Sequence, residues 1–145
     1  MANHVYAFYM SAAFKALYDL TNASNHVKLM LVRTGVGHYV PNFVTDQFAS
    51  SVAGGDQIAR TAQLTGITVA QAAGPQSVFN AANTVFTAVP AGPAGGAILL
   101  FIDTGVDATS PLIAYLDGYT GLPITPTGAD INVSFNGSGI VVGNG

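Results

Sequence analysis

The 145-residue sequence predicts a mainly β fold, a β-sandwich or barrel-like domain of about seven or eight short strands with one N-terminal α-helix. Two observations carry this prediction. After residue 25 the apolar residues alternate with period two, and clusters of turn-forming residues recur about every 8 to 12 positions. The length fits a single domain over 1–145. We divide it into an N-terminal helix or arm (1–25), a β-domain (26–135) and a C-terminal tail (136–145).

The first twenty residues predict the helix. Asn3 is a suitable N-cap, and "TNASN" over 21–25 ends the apolar periodicity with turn-forming residues. The apolar residues that recur at three- and four-residue spacing are Val5, Phe8, Tyr9, Ala12, Ala13, Ala16, Leu17 and Leu20.

The segment "HVKLMLVR" over 26–33 predicts the first strand of the β-domain. Its alternation places one apolar set on one face (Val27, Leu29, Leu31) and a mixed set on the other (Lys28, Met30, Val32). A loop over 34–42 follows, and residues 42–51 are predicted to form one or two helical turns.

The remaining strands are short. A β-like segment over 58–74 is broken at Gly66, and two strand pieces follow within 77–90. "AILLFID" over 97–103 is the most apolar segment, which predicts a central strand that is buried on both faces. "PLIAYLD" over 111–117 completes a hairpin with it, and "INVSF" over 131–135 is the last alternating strand. The tail holds one apolar triplet, predicted to be mobile or docked on a neighbouring molecule.

Charge is scarce in this chain. Half of the residues are hydrophobic and 8% are charged, against about 25% in a typical soluble protein. Because charged residues are depleted at buried contacts, this composition favours a protein that packs against copies of itself or a partner; a charge-poor soluble β-domain is the alternative. The net charge of −3 and the scattered cations argue against a nucleic-acid partner. No apolar run approaches the roughly 20 residues of a membrane helix, so no membrane partner is expected.

Asp103-Thr104-Gly105, after an apolar strand, is the pattern that aspartic proteases show at their catalytic turn. Such an enzyme needs two carboxylates about 3 Å apart that share a proton, so a single motif requires a homodimer. The chain has no evident flap, and we expect no helix after "GIVVGNG". We therefore expect Asp103 to be a turn residue and the protein not to be an enzyme.

Metal and cofactor sites have weak support in the sequence. Four aspartates near strand ends could offer oxygens to Ca²⁺, but their spacing matches no compact binding loop: Asp103, Asp107, Asp117 and Asp130. His4, His26 and His38 lack zinc-site spacing, and there are no cysteines. We expect solvated turn aspartates and no cofactor.

The segment "AILLFIDTGVDATSPLIAYLDGYTGLPITPTGADINVSF" over 97–135 resembles a family of small virion proteins of tailed bacteriophages. Weaker pieces of the same resemblance are "HVKLMLV", "LTGITV" and "TVFTAV". The specific part covers about a quarter of the chain, and the tail matches least well. The family has no catalytic motif to carry over.

This resemblance implies a capsid decoration (cement) protein that binds the major capsid protein on the outside of the phage head. Such a protein is made in the host cytoplasm, forms part of the virion and typically self-associates, so a homotrimer is expected. The aromatic N-terminus is our predicted contact arm: Tyr6, Phe8, Tyr9 and Phe14. The alternative for this segment is a helix that covers a sheet of its own domain.

The sequence is also compatible with two other functions. A head–tail joining or tail-tube protein would also be charge-poor and β-rich, but it would form rings of six or twelve copies. A carbohydrate- or receptor-binding β-module would use exposed aromatic rings to stack on sugars, and the candidates are Tyr39, Tyr115 and Tyr119.

Overall fold

A computed structural model describes residues 4–6, 18–71, 76–135 and 139–144. The described strands form three antiparallel sheets. The strands are β1 (His4–Val5), β2 (Val27–Val32), β3 (Gln57–Arg60), β4 (Thr68–Gln71), β5 (Gln76–Asn80), β6 (Thr84–Phe86), β7 (Ala97–Ile102), β8 (Leu112–Leu116), β9 (Ile131–Val133) and β10 (Ile140–Asn144). The sheet orders are β1-β8-β7-β2-β3, β10-β5-β4 and β6-β9. The prediction of a mainly β fold is therefore confirmed, whereas the barrel-like alternative is wrong because the described strands close no barrel.

The predicted N-terminal helix is not seen. Residues His4–Val5 form a strand instead, with His4 opposite Tyr115 and Val5 opposite Ala114, and the Tyr6 N–H donates to the Ile113 carbonyl. The first N–H groups of a helix that begins at Asn3 would have no partners within the helix, whereas pairing with β8 satisfies the backbone here. The long-range contact therefore determines the structure of His4 and Val5, and the helical spacing of the apolar residues does not. Residues 18–20 are not helical either. The rest of the prediction, over 7–17, lies outside the described residues.

Strand β7 is the centre of the large sheet, as its composition predicts. All six of its residues are buried, and it pairs with β2 from Ile102 opposite Val27 to Ala97 opposite Val32. On its other side it forms a hairpin with β8, with Leu99 opposite Tyr115. The predicted central strand and hairpin are confirmed.

The two faces of this sheet pack into two separate cores. Val27, Leu29 and Leu31 of β2 lie in the first core, together with residues from β5, β6 and β9. Met30 and Val32 lie in the second. The predicted faces of β2 are thus confirmed, and each face excludes water through different parts of the chain.

In the described part of the chain, irregular segments cover the second core. Tyr39, Ala49 and Val52 are buried against it, and Phe43 packs at its edge. A single 3-10 turn, Ala49–Ser51, occupies the place where one or two helical turns are predicted over 42–51. A second 3-10 turn, Gly54–Asp56, leads into β3.

Candidate interaction surface

Residues 34–46, which we call the valine loop, expose three valines to solvent. The exposed fractions are 102% for Val36, 69% for Val40 and 75% for Val44. Single exposed apolar side chains are ordinary on protein surfaces. Three within one short loop are a candidate contact element, because each would gain free energy from burial against a partner.

Two glycines shape the tip of the valine loop. Gly35 has a φ of +110° and Gly37 has a φ of +79°, which are backbone conformations that L side chains rarely adopt. The His38 N–H donates to the Gly35 carbonyl over 3.0 Å, and Thr34 bridges to Tyr39. This tight turn holds Val36 at the tip.

The second half of the valine loop is fixed by side-chain caps. Oδ1 of Asn42 accepts hydrogen bonds from the N–H groups of Val44 (3.1 Å) and Thr45 (3.2 Å). Oδ2 of Asp46 accepts one from the Asn42 N–H over 2.9 Å. These side-chain oxygens replace water as hydrogen-bond acceptors for the backbone N–H groups. They therefore order the loop around Val44.

A buried chain of hydroxyl groups anchors the valine loop to the domain. The Tyr39 hydroxyl donates to Asp46 Oδ2 over 2.9 Å and lies 2.7 Å from the Tyr6 hydroxyl. Burial raises the pKa of both tyrosines above 10, because an ionised phenol would lose its hydration there. The phenols therefore stay neutral at physiological pH and act as hydrogen-bonding anchors.

Phe43 adds an apolar anchor beside these hydroxyls. Its ring centroid lies 4.5 Å from that of His4, 5.5 Å from that of Tyr6 and 5.9 Å from that of Tyr115. Ring pairs at such distances contribute about 0.5–1.5 kcal/mol beyond the area they bury. The valine loop is thus attached to both β1 and β8.

A surface cavity of about 310 Å³ lies beside the valine loop. His38 Nδ1 and Asp56 Oδ1 are 2.9 Å apart in its wall. The residues that line it are His38, Tyr39, Val40, Asp46, Ser51, Ala53 and Asp56. Asp46 and Asp56 are already engaged by Tyr39 and His38, so the cavity presents acceptors that are largely satisfied within the chain.

The structure places Asp103 in a turn, in an ion pair. Its Oδ2 lies 2.7 Å from Lys28 Nζ, and its Oδ1 accepts the Gly105 N–H over 2.8 Å. The hydrogen bond from Lys28 lowers the pKa of Asp103 below 3.8. The Asp103 carboxylate is therefore held ionised by Lys28 and by the backbone of its own turn.

The loop after Asp103 is attached to the edge strand β3. Arg60 Nη2 lies 2.8 Å from both carboxylate oxygens of Asp107, and Gln57 Nε2 donates to Oδ2 over 3.2 Å. Arg60 lowers the pKa of Asp107 and also lies 5.2 Å above the Phe101 ring. Both contacts fix the Arg60 side chain against the sheet.

Two of the four candidate calcium ligands are thus neutralised by cations. A third, Asp130, accepts the Ala88 N–H over 2.6 Å. In the part of the chain that the structure describes, no three His, Cys, Asp or Glu side chains are grouped so that they could hold a metal ion.

Of the four predicted contact residues, the structure describes Tyr6 alone. Tyr6 is fully buried in the second core, where it packs within the chain, and Phe8, Tyr9 and Phe14 fall outside the described residues. The expected exposure of two sugar-stacking candidates is wrong, because Tyr39 and Tyr115 are only 6% and 7% exposed. Tyr119 is partly buried, and its hydroxyl accepts the Ser134 N–H.

Sequence reasoning did not single out the valine loop. The segment "TGVGHYVPNFV" does contain glycines and valines interleaved with aromatic residues. This pattern does not show which of these side chains the fold buries and which it exposes, so the exposed valines could not be identified from the sequence.

Comparisons with known proteins add no relative. No protein-family model matches the sequence, and no curated protein matches it with significance. Among the described residues, no helix is long and apolar enough to cross a bilayer.

Proposed function

We propose that this protein is a non-enzymatic structural component of a tailed-phage virion, a decoration protein that binds the major capsid protein on the outside of the head. The resemblance of residues 97–135 to small virion proteins supports this proposal. In the same proposal the five-stranded sheet and the two smaller sheets form a β-sandwich, and three copies assemble on a local threefold axis of the shell. The protein is made in the host cytoplasm and ends in the virion.

The observation that carries the proposal is the anchored valine loop. Its three exposed valines are attached to a backbone that is already ordered by Asn42, Tyr39 and Asp46. A preordered loop loses little conformational entropy on binding, so more of the free energy of apolar burial is available for affinity. This is what a protein that stiffens a shell through contacts at capsomer junctions requires.

The ion pairing of two basic side chains also supports the proposal. Lys28 and Arg60 are held in ion pairs within the chain. Long charged side chains cost conformational entropy and desolvation free energy when they are fixed at an interface. A surface with few free cations avoids that cost.

The test uses purified protein and expanded heads that lack it. Wild-type protein is expected to co-sediment with the heads and to raise their melting temperature. A triple variant, Val36→Ser, Val40→Ser and Val44→Ser, removes the apolar contacts without altering the inward-facing anchors. We expect head binding to weaken by about 2–4 kcal/mol, roughly 30- to 1000-fold in Kd.

The matched control is Val106→Ser, at an exposed valine on the β7–β8 loop. It is expected to leave head binding unchanged. Full head binding by the triple variant would reject the valine loop as the contact element. No binding of wild-type protein to heads would reject the decoration function itself, and rings of six or twelve copies would identify a joining or tail-tube protein.

A further inference from the structure

Among the strands that the structure describes, β4 is the edge of the three-stranded sheet and has a hydrogen-bonded neighbour, β5, on one side only. It pairs with β5 in a continuous register, from Thr68 opposite Asn80 to Gln71 opposite Ser77. Its first three residues are exposed to solvent, and Val69 is 48% exposed. A strand edge of this kind presents unpaired backbone donors and acceptors, which can pair with another strand.

The other edges in the described structure are protected against such pairing. Strand β3 carries Arg60, and its pairing with β2 shifts register between Leu31 and Val32. Strand β10, the other edge of the three-stranded sheet, shifts register with β5 between Val142 and Asn144 and lies beside β1, which has only two residues. Strands β6 and β9 have only three residues each. Charge, bulges and short length are the usual means by which proteins block edge-to-edge association.

Strand β4 has neither a charged residue nor a bulge. It contains no proline or glycine, its register with β5 has no bulge, and it begins with the β-branched pair Thr68 and Val69. The sequence from 61 to 102 contains no Asp, Glu, Lys or Arg. An added strand at β4 therefore meets no charge from β4 or its neighbour β5.

We propose that β4 is a self-association edge, which pairs antiparallel with β4 of a second copy of this chain. A twofold axis perpendicular to the sheet and centred on Val69 places each Val69 opposite its counterpart, and each Thr68 opposite the Ala70 of the other copy. A pair of β-branched residues at the central position favours this register over one centred on Ala70. Because β4 carries no charge, the β4 strands of two copies can pair without repulsion between like charges.

This interface is separate from the valine loop, so it extends the proposed function. Four residues give a weak contact between two isolated copies. On a shell, neighbouring threefold positions are related by local twofold axes, and there the same contact links adjacent trimers and gains strength from multivalency. That consequence rests on the proposed function, whereas the pairing of two copies does not.

Cysteine cross-linking of the free protein tests the pairing and its register. The chain has no cysteine, so Val69→Cys provides one unique thiol per copy. Directly opposed residues on antiparallel strands have Cα atoms about 4.5–5.5 Å apart, within the range of a disulfide. We expect Val69→Cys to form a covalent dimer under mild oxidation at least 10-fold faster than the two controls.

The controls separate strand pairing from chance collision. Ala70→Cys tests register, because its two thiols would be offset along the strands and too far apart to link. Val106→Cys tests collision, because this exposed valine lies on a different loop. Equal dimerisation rates for Val69→Cys and Val106→Cys would overturn the proposal.

A charge exchange at the same position gives a second readout. Val69→Lys and Val69→Asp each place like charges opposite one another, so each variant alone is expected to lose self-association in sedimentation equilibrium. Their mixture is expected to recover it through opposite charges, and Val69→Thr is expected to retain it. Circular dichroism and melting temperature verify that each variant is folded. Failure of the mixture to recover association would reject the pairing of Val69 with its counterpart, and this result is independent of head binding.

Discussion

The Tyr6 hydroxyl lies 2.7 Å from the Tyr39 hydroxyl, although the two residues are 33 positions apart in the chain. Tyr39 donates its own proton to Asp46 Oδ2, so it accepts the proton of Tyr6. This order of donors links the residue that follows β1 to the base of the valine loop. The stability of the loop therefore depends on Tyr39 more than on Tyr6.

Tyr39→Phe is expected to destabilise the protein more than Tyr6→Phe. Loss of the Tyr39 hydroxyl removes the acceptor of Tyr6 and one donor to Asp46, at a cost of about 2–3 kcal/mol. Loss of the Tyr6 hydroxyl leaves the bond from Tyr39 to Asp46 intact and costs about 1 kcal/mol. Urea denaturation at pH 7 measures both changes, and the double variant should cost little more than Tyr39→Phe alone. A larger cost for Tyr6→Phe would contradict the assigned order of donors.

The same pair predicts a loss of stability at alkaline pH. The pKa values of Tyr6 and Tyr39 are raised above the ordinary value of 10.0, chiefly because burial disfavours the charged phenolate. A raised folded-state pKa gives stability that is fully present below the unfolded pKa and is lost as pH rises beyond it. The free energy of unfolding should therefore fall from about pH 10 upward. In the variant that combines Tyr6→Phe with Tyr39→Phe, this fall should be shallower when denaturation midpoints are compared between pH 8 and 11.

The pattern of short strands was predictable from the sequence, because it depends on local alternation. The two faces of β2 and the burial of β7 follow directly from which of their residues are apolar. The helix prediction failed at its start because His4 and Val5 find a strand partner in β8. No local pattern indicates such a pairing.

The ion pairs and the anchors of the valine loop were not predictable for a related reason. Lys28 and Asp103 are 75 positions apart, and Arg60 and Asp107 are 47 apart. Spacing along the chain gives no information about contacts that form only when strands are assembled. The sequence did support Asp103 as a turn residue, since Thr104 and Gly105 follow it, and the bond from the Gly105 N–H agrees with that prediction.

Asp103→Asn is expected to remove the ion pair and keep the turn. The amide oxygen of asparagine can still accept the Gly105 N–H, whereas Lys28 loses its charged partner. Because both side chains are partly solvated, the cost at pH 7 should be about 1 kcal/mol. Asp103→Ala also loses the turn bond and should cost about 2 kcal/mol. Chemical denaturation measures both variants, and head binding by Asp103→Asn should equal that of wild type.

Acid should weaken the wild-type protein more than this variant. Lys28 lowers the pKa of Asp103, and Arg60 lowers the pKa of Asp107. A depressed folded-state pKa gives stability that is present above the unfolded pKa and is lost as pH falls through the folded pKa. The difference in unfolding free energy between wild type and Asp103→Asn should therefore shrink below about pH 4. A difference that stays constant down to pH 2 would show that Asp103 contributes no charge-dependent stability.

Gly95→Ala is expected to destabilise the first core. A Cβ on Gly95 would lie 2.5 Å from Cδ1 of the buried Leu31, and reciprocal hydrogen bonds with Ile124 hold the backbone in place. The overpacking should cost about 1–3 kcal/mol, and Leu31→Ala should reduce that cost because alanine lacks Cγ, Cδ1 and Cδ2, the three atoms that the new methyl group would meet. Gly92→Ala is the matched control, since its nearest neighbour would be the Pro90 carbonyl oxygen at 3.8 Å. Thermal and urea denaturation compare the variants. Equal stability of Gly95→Ala and Gly92→Ala would mean that Leu31 and β2 shift to make room for the methyl group, which would contradict the expected overpacking.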